Sequence, residues 1–507
     1  MSAQRKWYIT TAIDYANGPP HLGHALEKVG ADAMARYRRL RGESVHFVIG
    51  MDEHGIKVQQ SAEAAGVSPQ AWVDGIAQAF SAMWQRLAIS NDDFMRTTQP
   101  RHTRCATELV RRIQAADDVY PGRYEGYYCV GCESFKRDDE LIRDEGGTIR
   151  CPIHLLRTLE WTVEENWFFR LSKYADALLR LYDENPGFIR PESRYNEVRR
   201  LVESGLEDIS ISRAQVEWGI PWPGAEGHVI YVWIEALINY LSASGFPGPG
   251  WDAIWPADVH VIGKDITRFH CVIWPAMLMS AGLPLPRSVW AHGFVNFSGR
   301  KLSKSEGVRI ELSDMIERWG ADAFRYYLLR DVPWNGDGDF SLERFDVRYT
   351  ADLADTLGNL ANRTISMIER YRQACVPAGD RTALDDAIDA AVERFREAMD
   401  ADLLHQGAQT AMELAIAANG FVEERAPWSQ AKDAAQASAL NATLASLARA
   451  TAALSTLLEP FLPGTMRALA HRLGLDAPPM LAELRALQLT GRTVHRGEIL
   501  FPKPKPA

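Results

Sequence analysis

Cysteine is scarce: six in 507 residues, too few and too dispersed for a disulfide framework. Long apolar runs are missing too. The nearest approach, CVIWPAMLMSAGL (271–283), is too short for a bilayer and contains Pro275, so no membrane span is expected. The opening MSAQRKWYITT lacks the apolar segment and cleavage site of a signal peptide, and a cytoplasmic location is expected. Basic excess is also absent. Fifty-six Lys and Arg face 66 Asp and Glu, and the net charge of −10 excludes a sequence-blind electrostatic binder of nucleic acid. Local basic surfaces remain open at RYRRLRG (36–42) and RHTRCATELVRR (101–112), although such runs are more often a solvated helix face.

What is present describes an ordinary globular chain, 46% hydrophobic and 24% charged, long enough for about two to four domains. KWYITTAI (6–13) reads as a strand. Leu22, Ala25, Leu26, Val29, Ala33, Tyr37 and Leu40 recur at helical spacing, and VHFVIG (45–50) reads as a second buried strand. Strand, helix, strand predicts a parallel sheet covered by helices. The pattern lapses over 117–225 and returns at HVIYV (228–232), VHVI (259–262) and SVWA (288–291). The fold class is therefore α/β, a Rossmann-like parallel-sheet domain in two halves (1–116 and 226–350) split by an insertion (117–225). Residues 351–507, Ala- and Leu-rich with helical periodicity, should form a helix bundle with a frayed tail, LFPKPKPA.

Ligands of such sheets bind where strands end and helices begin. Those joints carry Tyr15, His21 and His24; then Asp52, Glu53 and His54; then Trp233, GKDITRFH and HGF. In HLGH (21–24), Gly23 leaves room for close approach, and two imidazoles three apart in the first helical turn can both donate to phosphate oxygens. Alone, the pair is equally compatible with a structural role. GRKLSKSEG (299–307) places Lys301 and Lys304 on a loop, suited to a pyrophosphate leaving group or to plain exposure. Together with HLGH, in this order, the first reading prevails.

Cys129, Cys132, Cys151 and His154 form a Cys-x-x-Cys…Cys-x-x-His set. Three thiolates and an imidazole suit one tetrahedral Zn²⁺ per chain, structural because protein would fill every position. Cys105, Cys271 and Cys375 read as small buried side chains.

HLGH and KLSKS resemble the HIGH and KMSKS signatures of class I aminoacyl-tRNA synthetases. TTAIDYANGPPHLGH, DEHG, YVWIEALINYL, GKDITRFH and AHGF together resemble the methionyl-tRNA synthetase family over almost the whole chain. The resemblance implies an ATP-dependent ligase that forms methionyl-adenylate and passes methionine to the 3′-terminal adenosine of tRNA(Met), initiator and elongator. By resemblance, His21, Gly23 and His24 hold the ATP phosphates. Gly263, Asp265 and His270 form the nucleotide side, and Lys304, helped by Lys301, stabilises pyrophosphate. Asp52 pairs with the methionine ammonium. Ile13, Tyr15, Trp233, Ala236, Leu237, Tyr240 and His292 build the side-chain pocket, where aromatic faces suit a polarizable thioether; outside the resemblance, Trp233 and Tyr240 read as ordinary core. Mg²⁺ is expected with ATP. The helical third becomes an anticodon-binding domain, with Asn359, Arg363 and Trp428 reading unpaired bases. The appended OB-fold domain that dimerises some members is absent, so a monomer is expected.

Departures are Leu302 for Met, Glu306 and Val308 in the lysine loop, Met51 before Asp52, and Glu235 after Trp233. Leucyl and valyl enzymes carry a larger editing insertion, and a cysteinyl enzyme would place zinc in the substrate pocket. A small-molecule nucleotidylyltransferase leaves the helical third without a role. A non-enzymatic zinc and RNA-binding protein leaves the strand-end residues unexplained.

Overall fold

Seven short strands, rich in β-branched and aromatic residues, build the main sheet: β1 (Trp7–Thr11), β2 (Asp14–Tyr15), β3 (Val45–Asp52), β4 (Asp93–Arg96), β5 (Ile189–Arg190), β6 (Val259–Gly263) and β7 (Val289–His292). The structure is a computed structural model that describes residues 5–129, 134–136, 141–143, 148–152, 159–214, 216–297, 300–301 and 311–503. Contacts divide the chain into two units: Met1–Pro20, His46–Ala82 and Asn91–Ala291 in the first, and His21–Val45, Met83–Ser90 and His292–Ala507 in the second. The sheet belongs to the first unit except for Val45 and His292 at strand ends.

The sheet order is β5-β7-β6-β1-β3-β2, with β4 also on β3. The pairs β1–β6, β5–β7, β2–β3 and β3–β4 run parallel. β3 is buried at seven of its eight residues, as a strand covered on both faces must be. The chain starts on β1, adds β3 on one side and later adds β6 on the other. β1 therefore flanks the topological switch point where such sheets bind ligands beyond their carboxyl ends.

Two features depart from the pattern read in the sequence. HVIYV does not rejoin the parallel sheet: Val229–Ile230 pairs antiparallel with Ser212–Arg213, and helix begins at Val232. β5 lies inside 117–225 yet pairs with β7, so part of that stretch belongs to the main sheet. The same stretch also holds a long antiparallel ribbon, Val119–Cys129 on Glu160–Phe169, that ends at Cys129.

The first unit's core runs from Tyr8 and Val48 through Leu109 and Phe188 to Trp255 and Trp274. Around it lie α2 (Pro100–Ala115), α3 (Val232–Leu237) and α4 (Asn239–Ser242).

In the second unit α1 spans Leu22–Leu40, the residues its periodicity predicts. A small sheet follows, in which β8 (Val295–Phe297) pairs antiparallel with β9 (Arg300–Lys301) and parallel with β10 (Gly338–Phe340). Then come α5 (Ala321–Asp331) and the bundle of α6 (Asn359–Arg372), α7 (Ala383–Asp400), α8 (Leu404–Arg425) and α9 (Ala437–Leu457). Over α9, Ala, Ser and Thr are buried on every side, marking it as the central helix. A buried ion network joins α1 to α5: Asp32 accepts from Arg36 at 2.7 Å and pairs with the fully buried Arg325 at 2.6 Å.

The tail is not frayed through Pro502. Phe501 is buried edge-on against Tyr349, whose hydroxyl donates to the Pro502 carbonyl at 2.8 Å. Cys105 and Cys271 are buried as expected, but Cys375 is exposed, because it follows the α6 C-terminus in a turn with Gln373 and Ala374 at positive φ. Among the described residues no helix is long and apolar enough to cross a membrane.

Candidate active site

The two histidines of HLGH cap α1. His21 is the N-cap, and its Nδ1 accepts from the His24 backbone N–H at 3.4 Å; His24 Nδ1 accepts in return from the His21 N–H at 3.3 Å. The three-residue spacing is thus a capping box built from imidazoles. With both Nδ1 atoms accepting, the neutral rings carry their proton on Nε2, away from the helix. The rings stack at 3.6 Å, and a Cβ on Gly23 would meet the His21 ring at 3.2 Å. His21 is exposed and His24 partly so, at a helix N-terminus whose free N–H groups and dipole favour an anion.

The first unit gathers most of the expected methionine set. Asp52 ends β3, buried, opposite Tyr15 in the parallel register, and its carbonyl accepts from the Ala16 N–H at 2.9 Å. Ile13 lies just before β2, and its methyl is 2.9 Å from where a Cβ on Gly50 would stand. Trp233 stacks on Phe269 at 4.9 Å. Ala236 and Leu237 continue α3, and Tyr240 lies buried on α4. The Tyr240 hydroxyl is 2.6 Å from His270 Nε2, while His270 Nδ1 is 3.0 Å from the Ile266 carbonyl. That carbonyl can only accept, so His270 donates through Nδ1 and accepts the tyrosine proton on Nε2. His270, expected on the nucleotide side, is therefore joined to the aromatic set. Gly263 ends β6, where a Cβ would stand 2.7 Å from the exposed Asp265 carboxylate, so any larger residue there would make that side chain turn away.

A network that sequence reasoning missed underlies this set. Glu235, fully buried on α3, lies 2.7 Å from His54 Nδ1. His102 Nε2 on α2 stands 3.2 Å from the same carboxylate oxygen, off hydrogen-bond alignment, and its Nδ1 is 2.9 Å from Ser242 Oγ on α4. Burial pushes the Glu235 carboxyl up, but the two imidazoles outweigh it and hold its pKa at about 2. Burial likewise opposes charge on His54, yet the carboxylate raises that imidazole above its ordinary value. A charged residue inside the apolar run YVWIEALINYL was the available signal, since a buried carboxylate requires partners; those partners lie too far along the chain to be read from spacing.

His292, in the second unit, stacks on Trp334 at 5.3 Å with its Nε2 3.3 Å from Glu27. Glu27 also pairs with the fully buried Lys28 at 2.7 Å. Burial opposes charge on Glu27, but Lys28 and His292 prevail and lower its pKa. Lys301 closes β9, and Lys304 lies outside the described residues.

Cys129 and Cys151 are buried together with Leu159, while Cys132 and His154 lie outside the described residues. Among the described residues no group of three or more potential metal ligands occurs. In the bundle, Asn359 begins α6 on the surface. Arg363 lies over the exposed Trp428 ring at 5.9 Å and pairs with Glu423 at 2.7 Å, so Trp428 presents a ring to solvent and is not packed away between helices.

Residues 7–365 match a family model described as tRNA synthetases class I (M), and residues 373–505 match the anticodon binding domain of methionyl tRNA ligase. A methionine–tRNA ligase of Streptomyces coelicolor is 43% identical over 99% of this chain and 98% of its own. One from Bacillus subtilis is 40% identical over 98% of this chain and 78% of its own. The Mycobacterium tuberculosis methionyl-tRNA synthetase in complex with methionyl-adenylate aligns with a TM-score of 0.94 and 39% identity, covering 98% of this chain and all of that one. End to end, with a parallel-sheet first unit and a helical anticodon domain, the chain belongs to the methionyl branch of the class I aminoacyl-tRNA synthetases, the methionine–tRNA ligases.

Proposed function

We infer that the chain activates methionine with ATP and transfers it to tRNA(Met), initiator and elongator. The observation that carries this reading is its full-length likeness to a structure that holds methionyl-adenylate. A methionine carboxylate oxygen attacks the α-phosphorus, the bond to the β-phosphate breaks, and pyrophosphate leaves. The 3′-terminal ribose hydroxyl then attacks the adenylate carbonyl, and AMP leaves. No side-chain nucleophile is needed, so positioning and charge stabilisation supply the rate.

Asp52 receives the methionine ammonium, and Ile13, Tyr15, Trp233, Ala236, Leu237 and Tyr240 take the side chain. We place His270 beside them because it shares a hydrogen bond with Tyr240; the role of His292 in the same pocket rests on resemblance alone. His21 and His24 offer Nε2–H donors to the triphosphate. Gly263 and Asp265 serve the nucleotide, and Lys301 and Lys304 the departing pyrophosphate. Asn359, Arg363 and Trp428 read the anticodon, supported by an exposed ring flanked by a guanidinium.

Cys129 and Cys151, buried in one small cluster, fit a thiolate-rich zinc site completed by Cys132 and His154. Bound there, zinc would hold the end of the ribbon in place of a core. Mg²⁺ would bind with the ATP phosphates and neutralise their charge. A cytoplasmic monomer completes the proposal. The domain division is 1–116 and 226–350 for catalysis, 117–225 for the insertion apart from β5, which joins the catalytic sheet, and 351–507 for the anticodon.

The test is exchange of pyrophosphate into ATP with each of the twenty amino acids, followed by charging of initiator and elongator tRNA. Methionine alone should support exchange, and both tRNAs should be charged. Exchange without charging would favour an RNA-independent activating enzyme, and no exchange would refute the reading.

A further inference from the structure

The buried Glu235 network spans the elements that carry the methionine set. His54 lies two residues beyond Asp52, and that whole stretch is anchored. The Glu53 N–H donates to Thr97 Oγ1 at 3.0 Å, and its carboxylate accepts from Arg96 at 2.5 Å and from the Thr98 hydroxyl. Trp218 Nε1 donates to the Glu53 carbonyl at 2.6 Å, while the Gly55 N–H donates to the Trp218 carbonyl at 3.1 Å. Glu235 ties this stretch to α3, between Trp233 and Ala236. His102 touches Glu235 on α3 and Ser242 on α4, two residues beyond Tyr240.

Stability alone does not call for this arrangement. A fully buried carboxylate whose Oε2 has no hydrogen-bond partner among the described residues is costly, and well-packed apolar side chains often serve as well or better in such places. What the network does supply is register, because the Glu235–His54 and His102–Ser242 hydrogen bonds hold only at short distance and fixed orientation, with His102 set against the same carboxylate.

We propose that Glu235 is a positioning residue for methionine: through His54 and His102 it fixes the end of β3 bearing Asp52 against the helices bearing Trp233, Ala236, Leu237 and Tyr240. This rests on the reading of Asp52 and the aromatic set as the methionine site. Glu235 itself need not touch the substrate. Its loss should loosen the ammonium partner relative to the side-chain walls and leave the nucleotide side as it was.

The experiment measures methionine and ATP KM values in pyrophosphate exchange for the full-length native chain, Glu235→Gln and Glu235→Asp, with thermal melting to confirm folding. Glu235→Gln should raise the methionine KM between about tenfold and a hundredfold, with the ATP KM moving less than about twofold. Glu235→Asp, which keeps the charge, should recover part of that loss. An unchanged methionine KM, or equal rises for both substrates, overturns the proposal. If Glu235→Gln does not fold, His54→Gln breaks the network at its other end and is judged by the same two outcomes. Native exchange with an unmoved variant removes the positioning role alone. Absence of methionine-dependent exchange in the native chain removes both this role and the functional reading beneath it.

Discussion

At the residue scale, selectivity between the substrates should rest on Asp52. It is buried at a strand end beside Tyr15, where a carboxylate can pair with an ammonium away from competing water. Asp52→Ala should raise the methionine KM in exchange roughly ten- to a hundredfold and the ATP KM by less than about threefold, as expected for one charge-assisted hydrogen bond. Equal effects on both would refute the assignment. Lys304→Ala should slow adenylate formation in a rapid-quench measurement by about tenfold or more while leaving methionine binding intact, because its charge matters only as pyrophosphate develops. Much of this scale was legible. The aspartate at a strand end and the paired histidines at a helix start were marked by their place, whereas the histidines' role and the aromatic run, which otherwise reads as core, came from the resemblance. The Glu235–His54 contact was legible in neither way, because its partners are 181 positions apart and nothing local links them. The Tyr240–His270 bond, across 30 positions, was not legible either, and the nucleotide-side place of His270 came from the resemblance.

At the element scale, periodicity found α1, β3 and β6 because each buries a regular face or a continuous run. It failed at β5, two residues long, which carries no pattern of its own and is defined by its ladder to β7. It also misread HVIYV, an apolar run that splits between a short antiparallel pair and the first turn of α3. Such runs do not distinguish strand from buried helix. The bundle yields a separable prediction. Trp428 is exposed and backed by Arg363, so Trp428→Ala should lower kcat/KM for tRNA charging roughly tenfold or more, the worth of one stacked base, while pyrophosphate exchange stays native. A matching loss in exchange would show that the tryptophan instead supports the fold.

At the scale of the whole molecule, two measurements bear on what holds the chain together. Asp32 lies buried between Arg36 and Arg325, and although burial pushes its carboxyl up, those cations and Ser90 hold it at about 2. A carboxyl depressed on folding stabilises fully above its unfolded value, and the contribution is lost as pH falls through the folded one. Urea unfolding should therefore weaken from about pH 4 down to 2 by on the order of 2 kcal/mol from this group. Asp32→Asn should flatten that limb and destabilise at neutral pH by about 3 kcal/mol, since it leaves the buried Arg325 guanidinium with the Leu87 and Pro460 carbonyls but without its counter-ion. Metal analysis of the purified chain should give one zinc, lost together from Cys129→Ser and Cys151→Ser variants; a native chain free of zinc would remove the metal from the account.

The central claim is met most directly by incubating the purified chain with ATP and an equimolar mixture of all twenty amino acids, without tRNA, and identifying the retained adenylate by mass spectrometry. Methionyl-adenylate should be recovered, close to one per chain, with an equal amount of pyrophosphate released. Unconsumed ATP, or a different aminoacyl-adenylate on the protein, would contradict it.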